Sequence, residues 1–181
     1  MSLSDRIGVN TNYTRSINLE RDLESSGQGH PYILTARALQ TLQRIANASH
    51  GRDAPRAWAL IGPYGAGKSA FALFAADLVG NPVNPATQAA RNALWKQQPD
   101  LAQRLGNAIG VGPGFCVVAL TGTPEPFAQR LVHALAQGAS SFFGGRPGPQ
   151  PKIVGRLHAA ENNPSASEIV TLYQDHQLAL F

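Results

Sequence analysis

The sequence predicts an α/β chain: a parallel sheet flanked by helices, incomplete within these residues. Three observations carry that expectation. "RAWALIG" (56–62) and "FCVVALTG" (115–122) are short apolar runs of strand length, the second β-branched at its centre. Runs that are apolar throughout fit strands buried on both faces of a parallel sheet. Between them lie segments of helical periodicity, the connections that parallel strands require, with right-handed crossovers as the rule. The third observation is a glycine-rich turn at 62–69, set between the first run and a helix.

The elements follow in order. Residues 1–31 are polar and glycine-spotted and read as an arm. Thr35 then caps a helix on which Ala38, Leu42, Ile45 and Ser49 share a side, with Leu39 and Ala46 beside them. "HGRDAP" ends it, and the first strand follows. Ser69 to Val79 is a second helix, with Phe71, Phe74, Ala75 and Leu78 on one face. "GNPVNPATQ" is a loop opening a helical region, Ala86 to Ile109, interrupted at "QQPD" and packed through Leu94, Trp95, Leu101 and Leu105. After the second strand, Thr123 caps a helix with Pro124 at its first position and Phe127, Leu131, Ala134 and Leu135 as its stripe. "GGRPGPQPK" reads as a linker, and "SASE" (165–168) as the capping box of a last helix.

Composition narrows the function classes. Of the 15 basic residues 12 are Arg, and they are scattered, so the net charge of +4 reads as a solvated surface with a mild preference for anions; a nucleic-acid partner stays open but gains no support from this pattern. A single cysteine, Cys116, excludes an internal disulfide framework and a cysteine-based zinc site. Mid-strand, it reads as a small buried hydrophobe. No apolar run approaches the roughly 20 residues of a membrane span. "MSLSDRIGVN" lacks the regions of a secretory signal, so a soluble, cytoplasmic protein with no membrane partner is expected.

The turn at 62–69, "GPYGAGKS", satisfies the phosphate-loop pattern of Gly, four residues, Gly, Lys and Ser. Gly62, Gly65 and Gly67 permit backbone conformations closed to other residues and a close wrap around a phosphate. Pro63, Tyr64, Ala66 and Ala70 complete the binding stretch, whose N–H groups and helix N-terminus face the anion. Lys68, the catalytic candidate, reaches the β- and γ-phosphates, and Ser69 binds Mg²⁺ through its hydroxyl. ATP and Mg²⁺ are therefore the expected ligands.

Other residues carry two readings each. Tyr32 is either a base-stacking aromatic or a packing one. Thr121 is a strand-end hydroxyl or a group near the γ-phosphate. Arg130 and Arg156 are solvated arginines or fingers acting in trans. His133 and His158 have no partners at ligand spacing, so neither reads as a metal ligand or a base.

A helix upstream of the loop strand, together with "GPYGAGKS", resembles the AAA+ and STAND ATPases. "RAWALIGPYGAGKSAFALF", a helical insertion and "VVALTGTPEPFAQRLVHAL" look like the start of large bacterial ATPases of anti-phage defence, over roughly residues 30–137. The resemblance implies a P-loop NTPase-like fold, ATP at Gly62 to Ser69, and conformational work on a partner. It divides the chain into an arm (1–31), the N-terminal part of a nucleotide-binding domain (32–143), a linker (144–164) and a C-terminal helix (165–181). Hydrolysis needs an apolar strand ending in an acid, and none follows the loop: "FCVVALTG" ends in Thr and Gly, and Asp175 is mid-helix. The chain stops at "LALF" where such a fold would continue, so a C-terminal continuation or a partner ATPase subunit is expected. Two alternatives stay open. One is a small-molecule or nucleoside kinase using Glu125 with Arg146 or Arg156. The other is a regulatory protein with a relict loop.

Overall fold

A computed structural model describes residues 16–24, 31–50, 55–110, 112–144 and 148–162. Among them are seven helices: α1 (Leu19–Glu24), α2 (Ala36–His50), α3 (Lys68–Val79), α4 (Pro85–Gln97), α5 (Pro99–Ile109), α6 (Phe127–Phe143) and α7 (Lys152–Asn162). The capping box at 165–168, Asp175, Arg146 and "LALF" lie outside the described residues.

The expected parallel sheet is not there: no described residue is in a strand. Both apolar runs lack a ladder partner. Residues 55–61 are exposed throughout, Ile61 to 91%. Cys116, expected to be buried, is exposed as well. β-Propensity describes how a side chain suits a pleated, half-buried surface; it does not supply the neighbour that makes one. The second run instead docks on helices. Phe115 N–H donates to Val79 O at the end of α3 (2.8 Å). Gly114, at φ +80°, lies where a Cβ would come within 2.1 Å of Gly80 O, so only glycine permits this approach. Further along, Gly138 of α6 leaves room for Val117 and Val118.

The helices around the loop follow local signals. Thr35 Oγ1 accepts from Ala38 N–H (3.2 Å) and caps α2, whose Ala38, Leu42 and Ala46 are buried. They meet Phe71, Phe74 and Leu78 of α3, Ala90 and Leu94 of α4, and Leu101 and Leu105 of α5 in one core. Full burial of each large side chain there contributes about 1.5–3 kcal/mol. Asn84 Oδ1 accepts from Ala86 N–H to cap α4 (3.0 Å). Arg91 of α4 donates to Leu78 O (3.0 Å) and to Gly80 O (3.4 Å), satisfying carbonyls left open at the end of α3. The break at "QQPD" falls at Gln98, before Pro99. Trp95 is 56% exposed and outside the packing expected of it.

Two helices depart from the sequence reading. α6 starts at Phe127, and Thr123 does not cap it. Pro126 disfavours helical backbone at Glu125, so the helix waits for the second proline. Phe127 is consequently exposed, and the buried stripe is Val132, Ala134, Ala136 and Ala139. Inside the expected linker lies α7, whose Val154, Leu157 and Ala160 close a second core with Val132, Ala136 and Ala139. Ala136, Ala139 and Ala160 bring small side chains to this contact, so α6 and α7 approach closely.

Candidate functional site

The phosphate-loop stretch forms a turn at 64–67 that leads directly into α3, with Lys68 as the first helical residue. Gly65 (φ 79°) and Gly67 (φ 78°) both take left-handed backbone. That conformation costs a Cβ-bearing residue roughly 1–2 kcal/mol. An added Cβ at either would meet nothing within 4 Å, so the loop fronts open space. Lys68 Nζ folds back onto Gly62 O (2.8 Å) and Pro63 O (2.7 Å). The ammonium thus lies inside the curve of the loop, held by two carbonyls. Ser69 follows in the first helical turn, exposed beside it. The first-turn N–H groups of α3 have no intrahelical acceptor, and Gly67 supplies no side-chain cap. These residues fit the phosphates and Mg²⁺ expected there: donors, a lysine ammonium and a hydroxyl around an open cradle.

The other candidates fall elsewhere. Tyr32 packs between Phe71 (6.1 Å between ring centroids) and Phe74 (5.1 Å, stacked), and burial pushes its phenol up from the ordinary value. It is a packing aromatic. Tyr64 is 94% exposed at the loop tip, its hydroxyl 3.3 Å from Ser16 Oγ. Arg156 is exposed on α7.

Thr121 and Arg130 come together around a residue the sequence did not single out. Glu20 of α1 accepts from Thr121 N–H (2.7 Å) through Oε1, and Arg130 NH2 donates to Oε1 (2.7 Å) and Oε2 (2.9 Å). The Thr121 N–H, then the Arg130 guanidinium, hold the Glu20 carboxyl below its usual range against the effect of burial. Arg130 Nε is buried without a hydrogen-bond partner, 3.5 Å from Glu125 Oε2. An arginine so engaged is not a free finger.

A second cluster joins α6 to α7. Glu161 Oε1 is 2.7 Å from His133 Nδ1, Glu161 Oε2 is 2.7 Å from His158 Nδ1, and His158 Nε2 is 2.8 Å from Ser140 Oγ. His133 and His158 therefore each have a hydrogen-bond partner on the other helix. With 144–164 read as a linker, nothing in the sequence indicated that His158 and Glu161 share a helix, or that they approach His133 and Ser140. No group of three or more His, Cys, Asp or Glu among the described residues is arranged to hold a metal ion. Ser140 sits near the C-terminal end of α6, where the dipole opposes a developing oxyanion, so the cluster reads as a structural clasp.

Burial raises the Glu161 pKa, but the hydrogen bonds from His158 and His133 outweigh it and hold it below the usual value. A depressed carboxylate stabilises the fold above its unfolded pKa and loses that contribution as pH falls through the folded one. Between about pH 5 and 3, thermal denaturation of the parent should therefore lose more stability than that of Glu161→Gln. Parallel pH profiles would remove the clasp from the account.

Compared with protein-family models, with curated proteins and with solved structures, the chain matches none.

Proposed function

We propose that the chain binds a nucleoside triphosphate, ATP, with Mg²⁺, as the binding module of an ATPase of the AAA+/STAND type that its sequence resembles. One observation supports this above the others: Lys68 opens α3 with its ammonium curled into a loop whose two left-handed glycines face open space. In that arrangement Gly62, Pro63, Tyr64, Gly65, Ala66, Gly67 and Ala70 contribute backbone around the phosphates. Lys68 leaves its two carbonyls for phosphate oxygens, a stronger charge-assisted bond. Ser69 would hold the Mg²⁺, which neutralises phosphate charge when bound. Glu125, the acid the kinase alternative requires, faces Arg130, and the apolar run after the loop that ends in an acid, Ala70 to Asp77, is helical rather than a strand. Binding without sustained turnover is the expected behaviour of this chain alone.

Ser69→Ala tests the metal role. The variant should bind ATP about equally with and without Mg²⁺, whereas the parent should bind more tightly with it. An unchanged Mg²⁺ dependence in calorimetry would remove Ser69 from the site.

A further inference from the structure

Glu20 occupies a place built for an anion. A backbone N–H (Thr121) and a guanidinium (Arg130) converge on its carboxylate from elements about 100 residues away in sequence, at 2.7 to 2.9 Å. Such donors recognise a carboxylate and a phosphate alike. Arg130 also keeps a buried, unused Nε donor, with Glu125 Oε2 3.5 Å away as the other carboxylate paired with it among the described residues. The occupant arrives on α1, a helix of six residues packed against α3. Four residues earlier, Ser16 Oγ meets the hydroxyl of Tyr64 in the phosphate loop. The chain from Ser16 to Glu20 spans at most about 14 Å, which ties the anion place to the loop.

We propose that Thr121 N–H and the Arg130 guanidinium form a phosphate-binding site that Glu20 fills as an internal occupant, and that a phosphate group displaces it and releases α1. The nucleotide at the loop is the source of that phosphate, and in this respect the proposal rests on the function proposed above. Occupation of the loop draws Lys68 off Gly62 O and Pro63 O, beside Tyr64, and so disturbs the Ser16 contact at the same time. Glu125 stays paired with Arg130 once Glu20 leaves, so the guanidinium is not left as an uncompensated charge.

Arg21, exposed on α1, makes release measurable by trypsin. On the full chain, cleavage after Arg21 should be slow without ligand and accelerate about tenfold with ATP·Mg²⁺, within the usual range of coupling between sites. Glu20→Gln should be cut rapidly with or without nucleotide, and should bind ATP several-fold more tightly by calorimetry. Arg130→Gln should also be cut rapidly, without that gain in affinity. Thermal denaturation of both variants separates local release from global unfolding. ATP binding with no change in cleavage at Arg21 would overturn the proposal and leave the loop assignment standing. Acceleration by inorganic phosphate in a chain that does not bind ATP would do the reverse: the anion site stands, and the loop assignment fails. No effect of either ligand on parent or variants overturns both.

Discussion

Lys68→Ala is expected to weaken ATP binding by about 10²- to 10⁴-fold while the protein stays folded. The ammonium makes two bonds to loop carbonyls, and both would pass to phosphate oxygens. A hydrogen bond to a charged group contributes about 1.5–3 kcal/mol, and every 1.4 kcal/mol is about tenfold in affinity. Stability should change by no more than about 0.5 kcal/mol, because the lost partners are solvent-exposed carbonyls that water satisfies and alanine suits a helix start. Calorimetry paired with a denaturation curve reads both. Equal ATP affinity in variant and parent would show that the loop is a glycine-rich turn with an incidental lysine.

Phe74→Ala carries the largest expected cost in stability. The side chain is 1% exposed, within the core formed by α2, α3, α4 and α5, and it stacks on Tyr32. Truncating a buried phenylalanine costs about 3–5 kcal/mol, a large share of the roughly 5–15 kcal/mol that holds a domain together. The same change loosens α3 beneath the loop, so ATP affinity should fall with stability. An unfolding free energy from urea denaturation within about 1 kcal/mol of the parent's would mean the core does not centre on α3.

What the sequence made legible was what neighbours in sequence decide. α2, α3, α4 and α5 were visible because caps and apolar periodicity lie within each helix: Thr35 before Ala38, Phe71 with Phe74 and Leu78, Pro99 after Gln98. The loop was visible for the same reason, its glycines and Lys68 falling within eight residues. What depends on distant partners was not. The runs at 56–62 and 115–122 have strand composition, yet a strand exists only with a neighbour, and Trp58, Leu60 and Ile61 remain exposed. α7 hid behind a Gly/Pro-rich stretch because its Val154, Leu157 and Ala160 acquire meaning only against α6. Glu20 could not be singled out in an arm, since the groups that define its role are Thr121 and Arg130. The onset of α6 was a local misreading: Pro124 was weighed as a start without the constraint Pro126 places on Glu125.

The most direct measurement is calorimetry of the parent chain with ATP, with and without Mg²⁺, while phosphate release is followed on the same sample. Saturable binding that tightens with Mg²⁺, with little phosphate released, is the result predicted for a loop that holds a triphosphate without an acid at the end of an apolar strand beside it. Absence of binding in a folded sample would contradict the central claim that Gly62 to Ser69 is a nucleotide site.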